Sequence, residues 1–198
     1  MIATMSDAPL TGTVALLSDA PLEELIGVVE VLAQEGVANL SLPVDSASLE
    51  ELVALYGQRI RIGVHGAAKA PATLATQGAD FILPDFVTPD IATIAEALAL
   101  ACYATAMTPT EVATALTMPV TGVQLRPAEV VGPIMAEHLQ HMGLIDKTIP
   151  RGGLIPFTAK QWLSAGAPAV CVGRHLIGDA LKGGDLAALR DRCRNLRN

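Results

Sequence analysis

Charge is scarce in this chain, and the little it has leans negative. Only 17% of the 198 residues are Asp, Glu, Lys or Arg, against 51% hydrophobic, which places the chain outside the polar range of disordered proteins. A formal net charge of −7 leaves no basic surplus for a phosphate backbone or an anionic bilayer, so neither nucleic acid nor membrane is expected as a partner. Arginines do gather at Arg190, Arg192, Arg194 and Arg197, where a solvated helix end complementing its dipole accounts for them. Cysteine is limited to Cys102, Cys171 and Cys193 with no paired spacing, which excludes a disulfide framework and suits a reducing compartment. No basic region followed by an apolar run opens the sequence, so no leader is read and the cytoplasm is the expected location. The longest apolar stretch, 91–107, contains Glu96 and is too short and too polar to span a bilayer.

Motifs are missing too. The turn Leu17-Ser18-Asp19-Ala20-Pro21 lacks the glycines of a dinucleotide fingerprint, and neither Ser18 nor Ser41 sits in a nucleophile elbow. No cofactor is implied. His65, Asp85 and Asp45 are residue types that bind metals, but no spacing among them demands an ion.

What is present is a repeat of pattern. Short apolar runs at 13–17, 39–43, 60–64, 81–83, 99–103, 122–125, 147–149 and 169–172 alternate with amphipathic segments. In the first of these segments Leu22, Leu25, Ile26, Val29 and Ala33 recur at helical spacing, with Glu23, Glu24, Glu30 and Gln34 on the other faces. Ser48 with Glu51 predicts a capping box, as does Thr108-Pro109-Thr110-Glu111, and Thr88 precedes a proline at a first helical position. Gly36, Gly78 and Gly166 are placed as helix stops. Strands this short, joined by helices, pair in parallel through crossovers. Eight such units predict an α/β fold, a (β/α)8 TIM barrel in one domain over 1–198, with a doubly wound open sheet as the alternative.

In such a barrel, function sits at the C-terminal ends of the strands. That rule nominates Asp45, His65, Asp85, Thr105, Gln124 and Arg126. Side chains alternate along a strand, so Gln124 and Arg126 share a face; a lumenal Arg126 then requires a ligand anion or an internal partner among Asp45, Asp85 and Glu129. Arg151-Gly152-Gly153 and Gly173-Arg174-His175 fall in the loops after the seventh and eighth runs, the customary phosphate site. There glycine N–H groups and guanidinium forks suit an anion, unless the glycines only turn the chain. His138 and His141 share a helix face outside the barrel and read as surface or interface.

At these residues the chain resembles the 2-keto-3-deoxy-6-phosphogluconate (KDPG) and 4-hydroxy-2-oxoglutarate (KHG) aldolase family of homotrimeric class I aldolases. Leu40-Ser41-Leu42-Pro43-Val44-Asp45 resembles the family's Leu-Glu-Val-Thr-Leu-Arg, and Gly63-Val64-His65-Gly66 its Gly-Ala-Gly-Thr. Pro127-Ala128-Glu129 matches the end of Lys-Phe-Phe-Pro-Ala-Glu, Pro150-Arg151-Gly152-Gly153 resembles Pro-Thr-Gly-Gly, and Val172-Gly173-Arg174-His175 resembles Ile-Gly-Gly-Ser. The resemblance implies a homotrimer and a small phosphorylated or keto-acid ligand, with Pro84 on the substrate side. It also implies that Ser41 stands for the catalytic glutamate, Asp45 for a substrate arginine, and Gln124 for the Schiff-base lysine. An amide shares its nitrogen lone pair with the carbonyl and cannot condense with a keto acid as an amine does. Of Lys69, Lys147, Lys160 and Lys182, Lys69 is the nearest substitute. The family's imine chemistry is therefore expected to be lost, leaving altered lyase activity or, alternatively, a regulatory metabolite-binding barrel. A weaker likeness, carried by 60–65 and 78–82, is to thiamin-phosphate-synthase-type barrels.

Overall fold

Eight parallel strands stand where the apolar runs predict them, in a computed structural model that describes residues 8–67 and 70–197. They are β1 (Gly12–Leu16), β2 (Asn39–Pro43), β3 (Arg61–Gly66), β4 (Phe81–Pro84), β5 (Ala101–Ala106), β6 (Gly122–Leu125), β7 (Thr148–Pro150) and β8 (Ala169–Val172). Each crossover carries helix: α1 (Leu22–Gln34), α2 (Leu49–Tyr56), α3 (Pro71–Thr76), α4 (Pro89–Ala97) and α5 (Pro109–Ala115) follow the first five strands in turn. Then come α6 (Ala128–Val131) and α7 (Ile134–His141) after β6, α8 (Pro156–Ser164) after β7, and α9 (Arg174–Ile177) and α10 (Leu186–Arg197) after β8. The sheet order is β7-β6-β5-β4-β3-β2-β1-β8, and a parallel bridge from Arg151 to Cys171 brings its two ends together. The fold is the (β/α)8 barrel.

The strand period sorts the core into two layers. Val14, Phe81, Leu83, Ala101, Tyr103, Ile149, Ala169 and Cys171 pack into one buried cluster, the lumen. Their neighbours along the strands, among them Ala15, Leu40, Ile62, Ile82, Val123 and Val170, join the helices in a second, larger cluster. Two aromatic rings fill the lumen's lower half, and the strands beside them make room. A Cβ on Gly63 would lie 2.5 Å from the Phe81 ring, and one on Gly122 would lie 2.9 Å from the Tyr103 ring. From below, Leu10 plugs the barrel, fully buried, its N–H donating to Tyr103 Oη at 2.7 Å. Asn39 Nδ2 donates to the Thr11 carbonyl at 2.8 Å and Arg61 Nη1 to that of Ala8 at 2.9 Å. With the lower end packed, the half-buried polar groups lie at the strands' C-terminal ends.

The helix signals hold with one exception. Thr108 and Glu111 form their reciprocal capping box, and Thr88 Oγ1 accepts the N–H of Ile91 at 3.3 Å. Gly36, Gly78 and Gly166 follow their helices with φ of 75°, 83° and 104°. Ser48 does begin α2, but its side chain makes no cap; its N–H instead donates to Ser46 Oγ at 3.4 Å. The C-terminal arginines do more than face a dipole. Arg190 and Arg194 pair with Glu35, the residue just after α1, and Arg192 donates to the carbonyls of Leu176 and Ile177 at 2.6 and 2.8 Å, satisfying the end of α9.

Candidate functional site

Gln124 lies fully buried at the centre of the barrel, between the outward Val123 and Leu125. Its Nε2 donates to the carbonyls of Pro84 (2.6 Å) and Tyr103 (3.1 Å), which fixes the amide's orientation. Its Oε1 accepts from Arg151 Nη1 at 2.7 Å, and the same Nη1 donates to the Leu83 carbonyl at 3.0 Å. The amide is therefore spent three ways, tying β4 and β5 to the end of β7.

Arg151 follows β7, as the sequence sets it, and its side chain faces inward: Ile149 is lumenal, the chain stays extended for two more residues to meet Cys171, and alternation turns the guanidinium toward the lumen. The residue is 5% exposed. Burial pulls its pKa down from the usual value, but a guanidinium starts so high that it stays charged. Among the described residues no carboxylate lies within ion-pair distance of it.

Beside it stand Ser41 and His65, with Ser41 Oγ 2.9 Å from His65 Nδ1. Burial first, and then the positive charge of Arg151, push the imidazole down to about 4, so it is neutral at pH 7. A neutral ring offers one donor and one acceptor. Ser41 is fully buried and no carboxylate hydrogen-bonds the ring among the described residues, so the pair is not a hydrolase triad.

At the rim Arg126 pairs with Asp85, both side chains 40% exposed. Of the three candidate partners for Arg126 the structure thus chooses Asp85, while Asp45 lies exposed at the end of β2. Glu129 packs over Gly153: with φ of 66° there, a Cβ would sit 1.7 Å from the Glu129 carboxylate, so only glycine fits. The N–H groups of Ala128 and Glu129 donate to the carbonyls of Arg151 and Gly152 at 2.9 and 3.1 Å, stitching the loop after β7 to α6. Gly173 precedes α9, whose first residues are the exposed Arg174 and the half-buried His175; Arg174 Nε is 3.3 Å from His175 Nε2. Pro84 contributes its carbonyl, which accepts from Gln124 and from Thr105 Oγ1 at 2.8 Å. Sequence reasoning had no local signal for that carbonyl, or for those of Leu83 and Tyr103.

The three lysines among the described residues stand away from the lumen. Lys147 is exposed at the opposite end beside Pro9 and Glu96, Lys160 is on α8, and Lys182 ends a 3-10 turn at Ala180–Lys182. Lys69 lies outside the described residues. His138 and His141 are exposed on α7. Among the described residues no three His, Cys, Asp or Glu side chains gather as a metal group, and no helix is long and apolar enough to cross a membrane.

Residues 3–191 match the family model described as "Aldolase: KDPG and KHG aldolase". No curated protein sequence matches the chain. Among solved structures it is similar to a 4-hydroxy-2-oxoglutarate/2-dehydro-3-deoxyphosphogluconate aldolase from TTHB1, at 25% identity over 93% of this chain and 92% of that one, with a TM-score of 0.79. It is similar to a native KDPGal structure at 21% identity, over 98% and 96% of the two chains, with a TM-score of 0.82. A KDPG aldolase from Legionella pneumophila, with pyruvate captured as a covalent carbinolamine, aligns at 17% identity over 98% and 96%, with a TM-score of 0.77.

Proposed function

We propose the function from one premise: the chain belongs to the KDPG and KHG aldolase family. On that scaffold it takes a small phosphorylated or keto-acid metabolite into the barrel mouth, without forming an imine there. The observation that carries this reading is Gln124. By resemblance it holds the Schiff-base lysine's position, and its amide is committed to Pro84, Tyr103 and Arg151. Asp45, His65, Pro84, Asp85 and Arg126 border the substrate. Gly152, Gly153, Gly173, Arg174 and His175 receive its phosphate, since N–H groups of glycine-rich loops beside a guanidinium favour an anion. By resemblance the protein is a homotrimer, and three free cysteines suit a reducing, cytoplasmic setting.

Two measurements test it. Borohydride reduction in the presence of pyruvate, followed by intact mass, should leave the chain unmodified; an adduct on any lysine rejects the imine-free reading. Arg174→Ala should weaken binding of a phosphate ester by about 1.5–3 kcal/mol, the range for a hydrogen bond to a charged group. Unchanged affinity would remove Arg174 from the phosphate site. A second reading, binding without turnover, is favoured by Ser41 at the position of the family's catalytic glutamate. Saturable thermal stabilisation by a sugar phosphate with no product formed supports it; turnover rejects it.

A further inference from the structure

The barrel mouth contains a buried guanidinium, Arg151, that has no carboxylate at ion-pair distance among the described residues. Two guanidiniums, Arg126 and Arg151, face it, and the Asp85 carboxylate is taken by Arg126. Arg151 is the deeper of the two: the rim pair is 40% exposed, whereas Arg151 is 5% exposed and has only neutral acceptors, Leu83 O and Gln124 Oε1. Leaving a buried cation without a counter-charge is costly. The thiol of Cys171 across the barrel bridge cannot supply one, because burial pushes it up to about 12 and it stays protonated.

We propose that Arg151, held in place by the Gln124 amide, is the group that receives the carboxylate of the keto acid already proposed for the mouth, by charge and hydrogen bonds alone. This rests on the proposed function and deepens it: Arg151 moves from the phosphate loop to the other end of the ligand. A guanidinium presents a planar fork to a carboxylate, a point at which lysine's single ammonium differs. Gln124 has a defined part here. Its Oε1 takes one N–H of the fork, and its Nε2 is anchored on two carbonyls, so Arg151 is positioned before the ligand arrives. Ser41 and His65 close the same space and offer neutral hydrogen-bonding groups to the rest of the molecule.

The arrangement carries its own reporter. The groups that act on His65 are Arg151, Asp85, Arg126 and the Ser41 hydrogen-bond partner. A carboxylate bound to Arg151 cancels the charge that disfavours protonation of the ring, so the His65 midpoint rises when the site is filled.

The experiment uses the whole chain, pyruvate as the smallest 2-oxo acid, and inorganic phosphate. Binding is read by NMR, with the His65 ring proton followed through pH. We expect pyruvate to saturate the parent and to raise the His65 midpoint by about one pH unit. Arg151→Gln should weaken pyruvate binding by about tenfold or more, abolish that rise, and leave phosphate binding within about twofold. Gln124→Glu gives Arg151 an internal carboxylate and should exclude pyruvate similarly; it decides the matter if Arg151→Gln does not fold. Failure of pyruvate to bind, equal binding by the folded variants, or a stationary His65 midpoint overturns the proposal. If phosphate still binds in that case, the broader reading of the mouth stands. If neither anion binds, both fall, and a borohydride adduct with pyruvate sinks both as well, since each requires binding without an imine.

Discussion

Gln124 shows how fully a buried side chain can be committed. Its amide donates to the Pro84 and Tyr103 carbonyls and accepts from Arg151. His65 is a titratable group held neutral by its surroundings. Its folded midpoint of about 4 lies below the ordinary 6.5. Between those values the unfolded chain takes up a proton that the folded chain refuses, so stability present above pH 6.5 is lost as pH falls toward 4. The whole shift corresponds to roughly 3 kcal/mol. Urea unfolding of the parent and of His65→Gln at pH 7 and pH 4.5 checks this: the parent should lose more stability than the variant on acidification. Equal losses would mean that the ring is not held neutral by the fold.

At the scale of elements, α2 and α5 carry the same sequence signal with different outcomes. Thr108 caps α5 and bonds Glu111, whereas Ser48 begins α2 without a side-chain bond. Thr108→Ala should cost about 1 kcal/mol. Ser48→Ala should stay within about 0.5 kcal/mol, and urea midpoints compare the two directly. If Ser48→Ala proves as costly as Thr108→Ala, the uncapped reading of α2 is wrong. The contrast explains what was legible in the sequence. Periodicity, glycine stops and proline starts are local, so strands, helices and the lumenal face of Gln124 could be read from them. Arg151 could not, because a Gly-Gly turn signal hides the fact that the chain runs on to meet Cys171, twenty residues away in sequence. The same holds for Leu10 plugging the barrel and for Arg192 capping α9: each is a contact between elements, and no short pattern encodes it. The choice of Asp85 as the partner of Arg126 was narrowed to three residues, and geometry across the mouth decided it.

For the whole molecule, the unresolved balance is apolar surface. Phe157 is 66% exposed and Ile134 57%, and both line a groove between α7 and α8; Val130 and Ile155, also exposed, belong to the same two βα connections. Glu137, His141 and Lys160 edge that groove. An apolar centre with a charged rim is the make-up of an interface between copies. We expect this face to be buried in a homotrimer, with light scattering at micromolar concentration giving three times the chain mass of 20.5 kDa. Phe157→Glu should dissociate it: a carboxylate placed in an apolar contact loses its hydration without a partner, at a cost of about several kcal/mol. The same substitution should leave the isolated fold nearly unaffected, since the side chain contributes little to the monomer's core. A parent that runs at the mass of one chain rejects the trimer. A Phe157→Glu variant that stays trimeric moves the interface to another face of the barrel.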